Sequence, residues 1–520
     1  MKEFVMSKDS PIVSTPKGKL RGFRFDGVDH FYGIRYAKAK RFQMPEPVPA
    51  WEGVKDAGSY GMNCPVLSEP MPTGEVLIPH RFWPSSEHCQ YLNLWTKSCE
   101  PSAKRPVLFW IHGGGYASGS GMEQICYDGF NLAKDDDVVV VTVNHRLNAF
   151  GYLDLSAFGE KYWNSVNVGM ADLVEALRWV RDNIACFGGD PDNVTIFGQS
   201  GGGGKVTVLG QIPEAEGLFH KMIVMSGVLG GPLFHAPYDA KALVLEILGN
   251  LNIPETQVEQ LEKVPTPQFI WAVNKAVKAR EAQGDRINWA PQPNSYYTCD
   301  PLVGDFSAAS LKVPTMVGSV FSEFSSFQSG PDYSALSAAE REELVKARFG
   351  AEGGEKILAA FRKAFPGMNE AYALHYDTAF LPPTVEYVEK KAKEASAPVY
   401  NYLFNLVFDV DGGKAAWHNQ HRERRIQDTL PQRGDGARLP PGGRRHAGPG
   451  DVRRLCELRP HRQPQLPGSA PVGALLRGEA CHHGVRPHLR RQGEPPPGAA
   501  ALGAPIPAAL HPACPRPGGR

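Results

Sequence analysis

Ser200 stands at the centre of the pentapeptide GQSGG, directly after the apolar run 194–197. In a GxSxG sequence that follows a strand, the central serine occupies a sharp turn into a helix and presents its hydroxyl for nucleophilic attack. Gly198 and Gly202 lack the Cβ atoms that would collide in so tight a turn. The pattern predicts a serine nucleophile, but GxSxG alone is a weak motif, so the surrounding sequence must decide.

The same stretch has a second interpretation, because Lys205 follows a glycine run as in a phosphate-binding loop. That loop requires GxxxxGK followed by Ser or Thr. Here Gln199 occupies the position of the first glycine, and Val206 occupies the position of the hydroxyl residue. Since two required residues are replaced, nucleotide binding is the disfavoured interpretation.

A second glycine motif, WIHGGGY at residues 110–116, directly follows another apolar run. Acyl transfer places negative charge on a carbonyl oxygen, and a preset backbone N–H donor commonly lowers the barrier by about 3 kcal/mol. In the HGGG arrangement the donors are Gly114 and Gly115, joined by Gly201 after the nucleophile. An ordinary glycine turn is the alternative, and the later GQSGG sequence favours an oxyanion hole.

A serine nucleophile also needs a histidine base, which a carboxylate orients. Glu323 follows the apolar run 315–317, and His418 follows the run 399–408. Taken singly, a glutamate or histidine in a loop is usually a solvated surface residue. In hydrolases whose nucleophile occupies such a strand-to-helix turn, the serine comes first along the chain, followed by the acid and then the histidine. Ser200, Glu323 and His418 occur in this order, so we predict that they form a catalytic triad.

Six short apolar runs alternate with helix-like stretches, which is typical of strands buried on both faces of a mainly parallel sheet. The runs are 107–111, 138–143, 194–197, 222–225, 315–317 and 399–408. Between the second and third, residues 170–189 carry apolar side chains at helical spacing before two glycines end the helix. The pattern predicts an α/β fold in which helices flank the sheet and the active site forms at the carboxyl ends of its strands.

The length of the chain suits one large catalytic domain, which we expect over residues 1–418 of the 520. Composition and charge disfavour several classes of function. The net charge of +1 disfavours nucleic acid or an anionic membrane as the main partner. With no signal peptide or transmembrane run, we expect a soluble, cytoplasmic protein. The nine cysteines form no CxxC pair, so we expect no metal, and the predicted chemistry needs no cofactor.

The composition changes sharply after His418. Residues 419–520 contain 17 Arg, 17 of the 45 Pro, and only seven Asp or Glu, with no Lys, Met, Phe, Tyr or Trp. Such a basic segment without aromatic residues cannot bury enough apolar area to offset the entropy lost on ordering. We therefore predict a disordered tail over 419–520 after an acidic globular domain.

Together the motifs resemble the type-B carboxylesterase family, which also contains the cholinesterases. The resemblance covers about residues 12–418 and includes VDHFYGIRYAKAKRF, SEHCQYLNLWT, WIHGGGY, VNHRLNAFGYL, FGGDPDNVTIFGQSGGG and VMSG in that order. It implies the α/β-hydrolase fold and hydrolysis of carboxylic esters through an acyl-enzyme. The implied site consists of Ser200, Glu323 and His418 as the triad and Gly114, Gly115 and Gly201 as the oxyanion hole.

The resemblance also implies roles for four further residues. Ser226, in VMSG, corresponds to a hydroxyl that lies near the acid. Gln199 replaces the glutamate that commonly precedes the nucleophile, which removes one negative charge beside the histidine. Cys64 and Cys89 stand where the family often closes a disulfide loop. A disulfide bond and two reduced thiols are both possible here, because the thiols of a cytoplasmic protein are normally kept reduced.

The tail departs from the family, which continues past its histidine with an acidic and aromatic segment, further helices and a strand. Residues 461–474, HRQPQLPGSAPVGA, are compatible with codons that, read one nucleotide forward, encode TGNPNCPGLPRWEP. That string resembles the family's carboxyl-terminal region. Our hypothesis is a frameshift just after His418.

We thus predict an enzyme that hydrolyses small-molecule carboxylic esters. The alternative is a noncatalytic, esterase-like binding protein, which the presence of Ser200, Glu323 and His418 disfavours. Short-chain and aromatic esters both stay open as substrates, and so does the oligomeric state.

Overall fold

The computed structural model describes residues 4–5, 10–68, 81–229, 238–323 and 333–404. These residues divide into two compact units. The first contains the described residues up to 323 and residues 377–404, and the second contains residues 333–376. His418 and the tail 419–520 lie outside the described residues.

The first unit is built on fifteen short strands in the described part of the chain. They are β1 (Phe4–Val5), β2 (Ile12–Thr15), β3 (Gly18–Arg21), β4 (Phe23–Phe25), β5 (Val28–Arg35), β6 (Ala37–Lys38), β7 (Glu46–Pro47), β8 (Val54–Asp56), β9 (Tyr91–Thr96), β10 (Arg105–Ile111), β11 (Val139–Val143), β12 (Gly189–Gln199), β13 (Lys221–Met225), β14 (Thr315–Val320) and β15 (Val399–Phe404).

Ten of these strands form one large sheet in the order β1-β4-β5-β9-β11-β10-β12-β13-β14-β15. The pairs from β1 to β11 in this order are antiparallel, and every pair from β11 to β15 is parallel. The parallel part has Val141 of β11 opposite Phe109 of β10, which in turn lies opposite Ile196 of β12. The sheet is therefore mixed and mostly parallel on the side that carries the predicted site.

Helices connect the strands. The α-helices of the described residues are α1 (Phe130–Asp136), α2 (Asn148–Tyr152), α3 (Val168–Asn183), α4 (Gly201–Leu209), α5 (Ala240–Asn250), α6 (Thr266–Ala282), α7 (Ala338–Phe349), α8 (Ala351–Ala364) and α9 (Leu381–Glu394). Short 3-10 helices span Pro101–Ala103, Ile125–Tyr127, Ser156–Phe158, Glu160–Tyr162, Ser165–Asn167, Ile184–Phe187, Pro213–Ala215, Glu255–Lys263, Ser310–Lys312, Tyr333–Ala335 and Glu370–His375.

The predicted α/β architecture is confirmed. The first five apolar runs lie in parallel strands, except that Val138 precedes β11 by one residue, and the described part of the sixth lies in β15. The predicted helix is α3, which continues into the 3-10 turn Ile184–Phe187 and ends at Gly188, where φ is 78°. Glycine adopts this left-handed conformation without the cost that a Cβ would add.

The second unit is a small helical unit. Its first α-helix, α7, begins with a capping box, in which the Ser337 hydroxyl accepts from Glu340 N–H while the Glu340 carboxylate accepts from Ser337 N–H. Gly350, at φ 77°, joins α7 to α8.

Candidate active site

Ser200 lies at the turn between β12 and α4, with its backbone at φ 54° and ψ −127°. A positive φ is unfavourable for a residue with a Cβ atom, so this conformation needs support from its surroundings. Ser200 N–H donates to the carbonyl of Met225 at 3.0 Å, and Gly204 N–H donates to the carbonyl of Ser200 at 3.0 Å. These two bonds hold the serine at the carboxyl end of β12.

Two glycines let this turn close against the end of β10. A Cβ atom on Gly202 would lie 2.1 Å from the carbonyl oxygen of Ile111, and one on Gly198 would lie 2.5 Å from the carbonyl carbon of Gly202. Neither position has room for a side chain. The steric reason inferred from the sequence for glycine at both ends of the pentapeptide therefore agrees with the packing.

The HGGG segment follows β10 and lies against the nucleophile turn. Gly114 and Gly115 have φ values of 86° and 63°. A Cβ on Gly201 would lie 2.4 Å from Cα of Gly115, and a Cβ on Gly113 would lie 3.5 Å from Cβ of Ser200. The structure thus brings together the serine and the backbones of all three glycines expected in the oxyanion hole.

The carbonyls of this segment are held in place by hydrogen bonds. The Gly113 carbonyl accepts from His112 Nδ1 at 2.9 Å, and the Gly114 carbonyl accepts from Ser118 N–H at 3.1 Å. In a planar trans peptide, a carbonyl and the N–H of the next residue point in opposite directions. The two bonds therefore orient the N–H groups of Gly114 and Gly115. Because a carbonyl can only accept, His112 carries its proton on Nδ1.

Glu323 follows β14 and is the last residue described before the gap at 324–332. Its Oε1 atom is buried and has no hydrogen-bond partner within the described residues. A buried carboxylate oxygen normally accepts a hydrogen bond, and the predicted partner is His418. Since His418 lies outside the described residues, the complete triad stays a prediction.

Ser226 and Gln199 lie at the ends of two neighbouring strands. Ser226 follows β13 with φ 43°, and its N–H donates to the Gly318 carbonyl of β14 at 2.7 Å. Its hydroxyl is buried and has no hydrogen-bond partner within the described ranges. Gln199 is the last residue of β12 and directly precedes Ser200. The roles predicted for both side chains depend on the triad and remain predictions.

Cys64 and Cys89 are free, buried thiols in the structure. The Cys64 sulfur accepts from Leu147 N–H at 3.2 Å. Burial, together with the neighbouring Cys64 thiol, raises the pKa of the Cys89 thiol well above its ordinary value. The two cysteines are thus neighbours, as the predicted pairing requires, and the structure has them in the reduced form.

Asp377 was missed in the sequence analysis. Its N–H donates to the Phe321 carbonyl at 2.9 Å, and its carboxylate accepts from Leu381 N–H at 2.7 Å at the start of α9. Burial raises the pKa of Asp377 to about 6, and the charge of Glu323 acts in the same direction. Asp377 therefore lies near the candidate acid. An aspartate shortly before a helix with proline at its second and third residues is a capping signal that could have identified it.

A cavity of about 250 Å³ lies beside the HGGG segment. Its wall is mostly apolar and aromatic, and its polar members include Thr207, Asn288 and Asp300. The lining comprises Gly115, Tyr116, Ala117, Gly204, Thr207, Val208, Leu229, Ile287, Asn288, Trp289, Ala290, Pro291, Tyr297, Asp300 and Pro301. Because Gly115 belongs to the candidate oxyanion hole, a group bound in this cavity would lie close to the reaction centre.

Among the described residues, no group of three or more His, Cys, Asp or Glu side chains is arranged to hold a metal ion. None of the helices in the described ranges is long and apolar enough to cross a membrane.

Buried histidines near and away from the site predict acid-sensitive stability. Burial lowers the pKa of His30 to about 3 and lowers the pKa values of His112 and His145 well below 6.5. Below pH 6.5 these histidines take up protons in the unfolded chain but not in the folded protein. The free energy of unfolding should therefore decrease as the pH is lowered below 6.5. The expected loss is about 1.4 kcal/mol per pH unit for each histidine.

Urea unfolding at pH 7.5, 6.5 and 5.5 measures this dependence, and His145→Phe is the informative variant. Neither ring nitrogen of His145 has a hydrogen-bond partner among the described residues, so phenylalanine removes a titrating group without breaking a described bond. Its charged neighbour is Lys205, which with His112 disfavours protonation. An unchanged pH slope in the variant would contradict the assignment.

Comparison with known proteins gives consistent matches. Residues 9–411 match the sequence profile of the carboxylesterase family. The para-nitrobenzyl esterase of Bacillus subtilis (strain 168) is 34% identical over 400 residues, which are 76% of this chain and 78% of that protein.

Solved structures are similar over comparable lengths. An esterase from Clostridium hathewayi, described as hydrolysing aliphatic aromatic polyesters, shares 45% identity at a TM-score of 0.77 and covers 83% of this chain and 87% of its own. A carboxylesterase from Geobacillus stearothermophilus shares 34% identity at a TM-score of 0.56, over 76% of this chain and 79% of its own.

Proposed function

The chain belongs to the carboxylesterase family, and we propose that it hydrolyses small carboxylic esters with Ser200, Glu323 and His418 as its catalytic triad. The observation that carries the proposal is the strained turn at Ser200, packed directly against the HGGG segment. Strain of this kind persists only where the surrounding structure enforces it, and it is concentrated at functional sites.

In the acylation step, Ser200 Oγ attacks the ester carbonyl while His418 accepts the hydroxyl proton. Glu323 orients the imidazole and stabilises its protonated form. The negative charge that develops on the carbonyl oxygen is stabilised by the N–H groups of Gly114, Gly115 and Gly201. The imidazolium then protonates the leaving alcohol, and the acyl group stays bound to the serine.

In the deacylation step, His418 removes a proton from water, and the resulting hydroxide attacks the acyl-enzyme. The same N–H groups stabilise the second tetrahedral intermediate, which collapses to release the acid while the imidazolium of His418 returns its proton to Ser200 Oγ. Glutamine at position 199 adds no negative charge beside the imidazolium, so Glu323 is the principal carboxylate in this mechanism.

The cavity beside Gly115 suits a short acyl chain or one aromatic ring, because its volume of about 250 Å³ lies just below the roughly 300 Å³ at which drug-sized sites begin. The polyester activity described for the Clostridium hathewayi esterase supports including aromatic esters among the substrates to be tested. p-Nitrophenyl acetate and p-nitrophenyl benzoate therefore form a suitable first pair.

The proposal is tested by comparing the 520-residue chain with a restored version, whose coding sequence after His418 is read one nucleotide forward. We propose that residues 1–418 hold the catalytic domain and that the residues encoded by the restored frame position His418. The expected result is ester hydrolysis at least about 100-fold faster in the restored chain, since catalysis depends strongly on geometry.

Equal activity of the two chains would contradict the role assigned to the restored segment. Resequencing that confirms the present frame would overturn the frameshift hypothesis. Inactivity of both chains towards both esters would favour the noncatalytic binding protein instead.

A further inference from the structure

Lys205 lies within α4, one helical turn beyond the nucleophile, and is completely buried. Its Nζ donates to the carbonyl of Gly115 at 2.8 Å and to the carbonyl of His112 at 3.2 Å. It also lies 5.5 Å from the centre of the Tyr116 ring. Within the described residues no carboxylate pairs with it. Burying an amine without such a partner is costly, and an apolar side chain would fill the space more favourably.

The two carbonyls that Lys205 binds stand at either end of the HGGG segment. Between them, the Gly113 carbonyl is held by His112 Nδ1 and the Gly114 carbonyl by Ser118 N–H. All four successive carbonyls from 112 to 115 are therefore hydrogen-bonded. Lys205 supplies the first and last of these bonds, and its side chain thereby links this segment to the helix that follows Ser200.

We propose that Lys205 is a positioning residue for the oxyanion hole, which holds the N–H donors of Gly114 and Gly115 in register with Ser200. The inference rests on the proposed function of these glycines. Ser200 and Gly201 lie at the start of α4, whereas Gly114 and Gly115 lie in the loop after β10. A bridge between the two elements fixes the distance between nucleophile and donors, on which transition-state stabilisation depends.

The bridge does not depend on the charge of the amine. Burial lowers the pKa of Lys205 to about 7, and the groups that face it are His112, His145 and Tyr116. A neutral amine still has two N–H donors, which match the two carbonyl acceptors. The same loop geometry is therefore expected on both sides of neutral pH.

The test compares Lys205→Met with Lys391→Met. Methionine is also unbranched but donates no hydrogen bond. Lys391 is the matched control, because it is also completely buried, in α9, where its Nζ donates to Ser310 Oγ at 3.0 Å. Hydrogen–deuterium exchange of peptides spanning residues 111–118 is measured by mass spectrometry in the 520-residue chain. Steady-state hydrolysis of p-nitrophenyl acetate is measured in the 520-residue chain or, if that chain is inactive, in the chain with the restored frame.

We expect Lys205→Met to accelerate exchange in residues 111–118 and to lower kcat about 100-fold, with KM changed less than about 3-fold. Lys391→Met should change neither quantity. If the methionine variant does not fold, Lys205→Leu, which likewise donates no hydrogen bond, is compared with Lys391→Leu in the same two measurements, with the same expected result.

Loop exchange and kcat that match those of the Lys391 variants would overturn the inference. The proposed function fails separately, if Ser200→Ala leaves hydrolysis intact or no chain hydrolyses an ester. In the second case the exchange measurement alone decides whether Lys205 holds the loop.

Discussion

Ser200→Ala is expected to lower kcat/KM for ester hydrolysis by about 10⁴-fold or more, because removal of a triad nucleophile eliminates the covalent pathway. Alanine keeps a Cβ atom, so the backbone at φ 54° and its bonds to Met225 and Gly204 are preserved. The loss should therefore appear in activity, while the free energy of unfolding changes little.

Ser102→Ala is the matched control, because the Ser102 hydroxyl is exposed and bonds Glu100 at 3.1 Å, outside the candidate site. Initial rates with p-nitrophenyl acetate compare the two variants with the parent chain. A fluorophosphonate probe with peptide mapping adds a second measurement, since it labels activated serines. Labelling of a serine other than Ser200, or retained hydrolysis in Ser200→Ala, would exclude Ser200 as the nucleophile.

The parallel strands could be predicted from the sequence because they are buried on both faces. β11 has the sequence VVVTV and every one of its residues is buried, so its apolar side chains indicate a strand in the interior of the sheet. The N-terminal antiparallel strands were not predicted, because their polar residues are paired inside the fold. In β5, Asp29 is buried but bound by Arg24 of β4 at 2.7 Å. Only the pairing, which the sequence does not display, makes a buried aspartate tolerable there.

The residues of the candidate site also divide into those that a local motif predicts and those that depend on contacts distant in the sequence. Ser200, Gly114 and Gly115 lie in short motifs whose local geometry follows from glycine and from the strand before each motif. The sequence around Lys205 indicates only an incomplete phosphate-binding pattern and no contact with the HGGG segment. The bonds of Lys205 to the HGGG segment join residues 93 and 90 positions apart, and no local pattern encodes such a contact.

The largest stability effect is expected at the ion pair of Arg146 and Asp172, which joins the loop after β11 to α3. Two of the guanidinium nitrogens donate to the two carboxylate oxygens at 2.7 and 2.8 Å, and the side chains are 2% and 0% exposed. Asp172→Ala would leave the guanidinium charge buried without its partner. We expect the free energy of unfolding to fall by about 3–5 kcal/mol.

Urea unfolding of Asp172→Ala measures this loss, with Glu255→Ala as the control. Glu255 pairs with Lys241 at 3.4 Å on the surface, where both side chains are more than half exposed, so its loss should cost less than about 1 kcal/mol. The double variant Arg146→Met with Asp172→Leu separates two causes. If the cost comes from the lone buried charge, the double variant should be more stable than Asp172→Ala, because it buries no charge at all. A double variant that is less stable than Asp172→Ala would instead assign the stability to the hydrogen bonds that Arg146 makes to the carbonyls of Lys40 and Gln43.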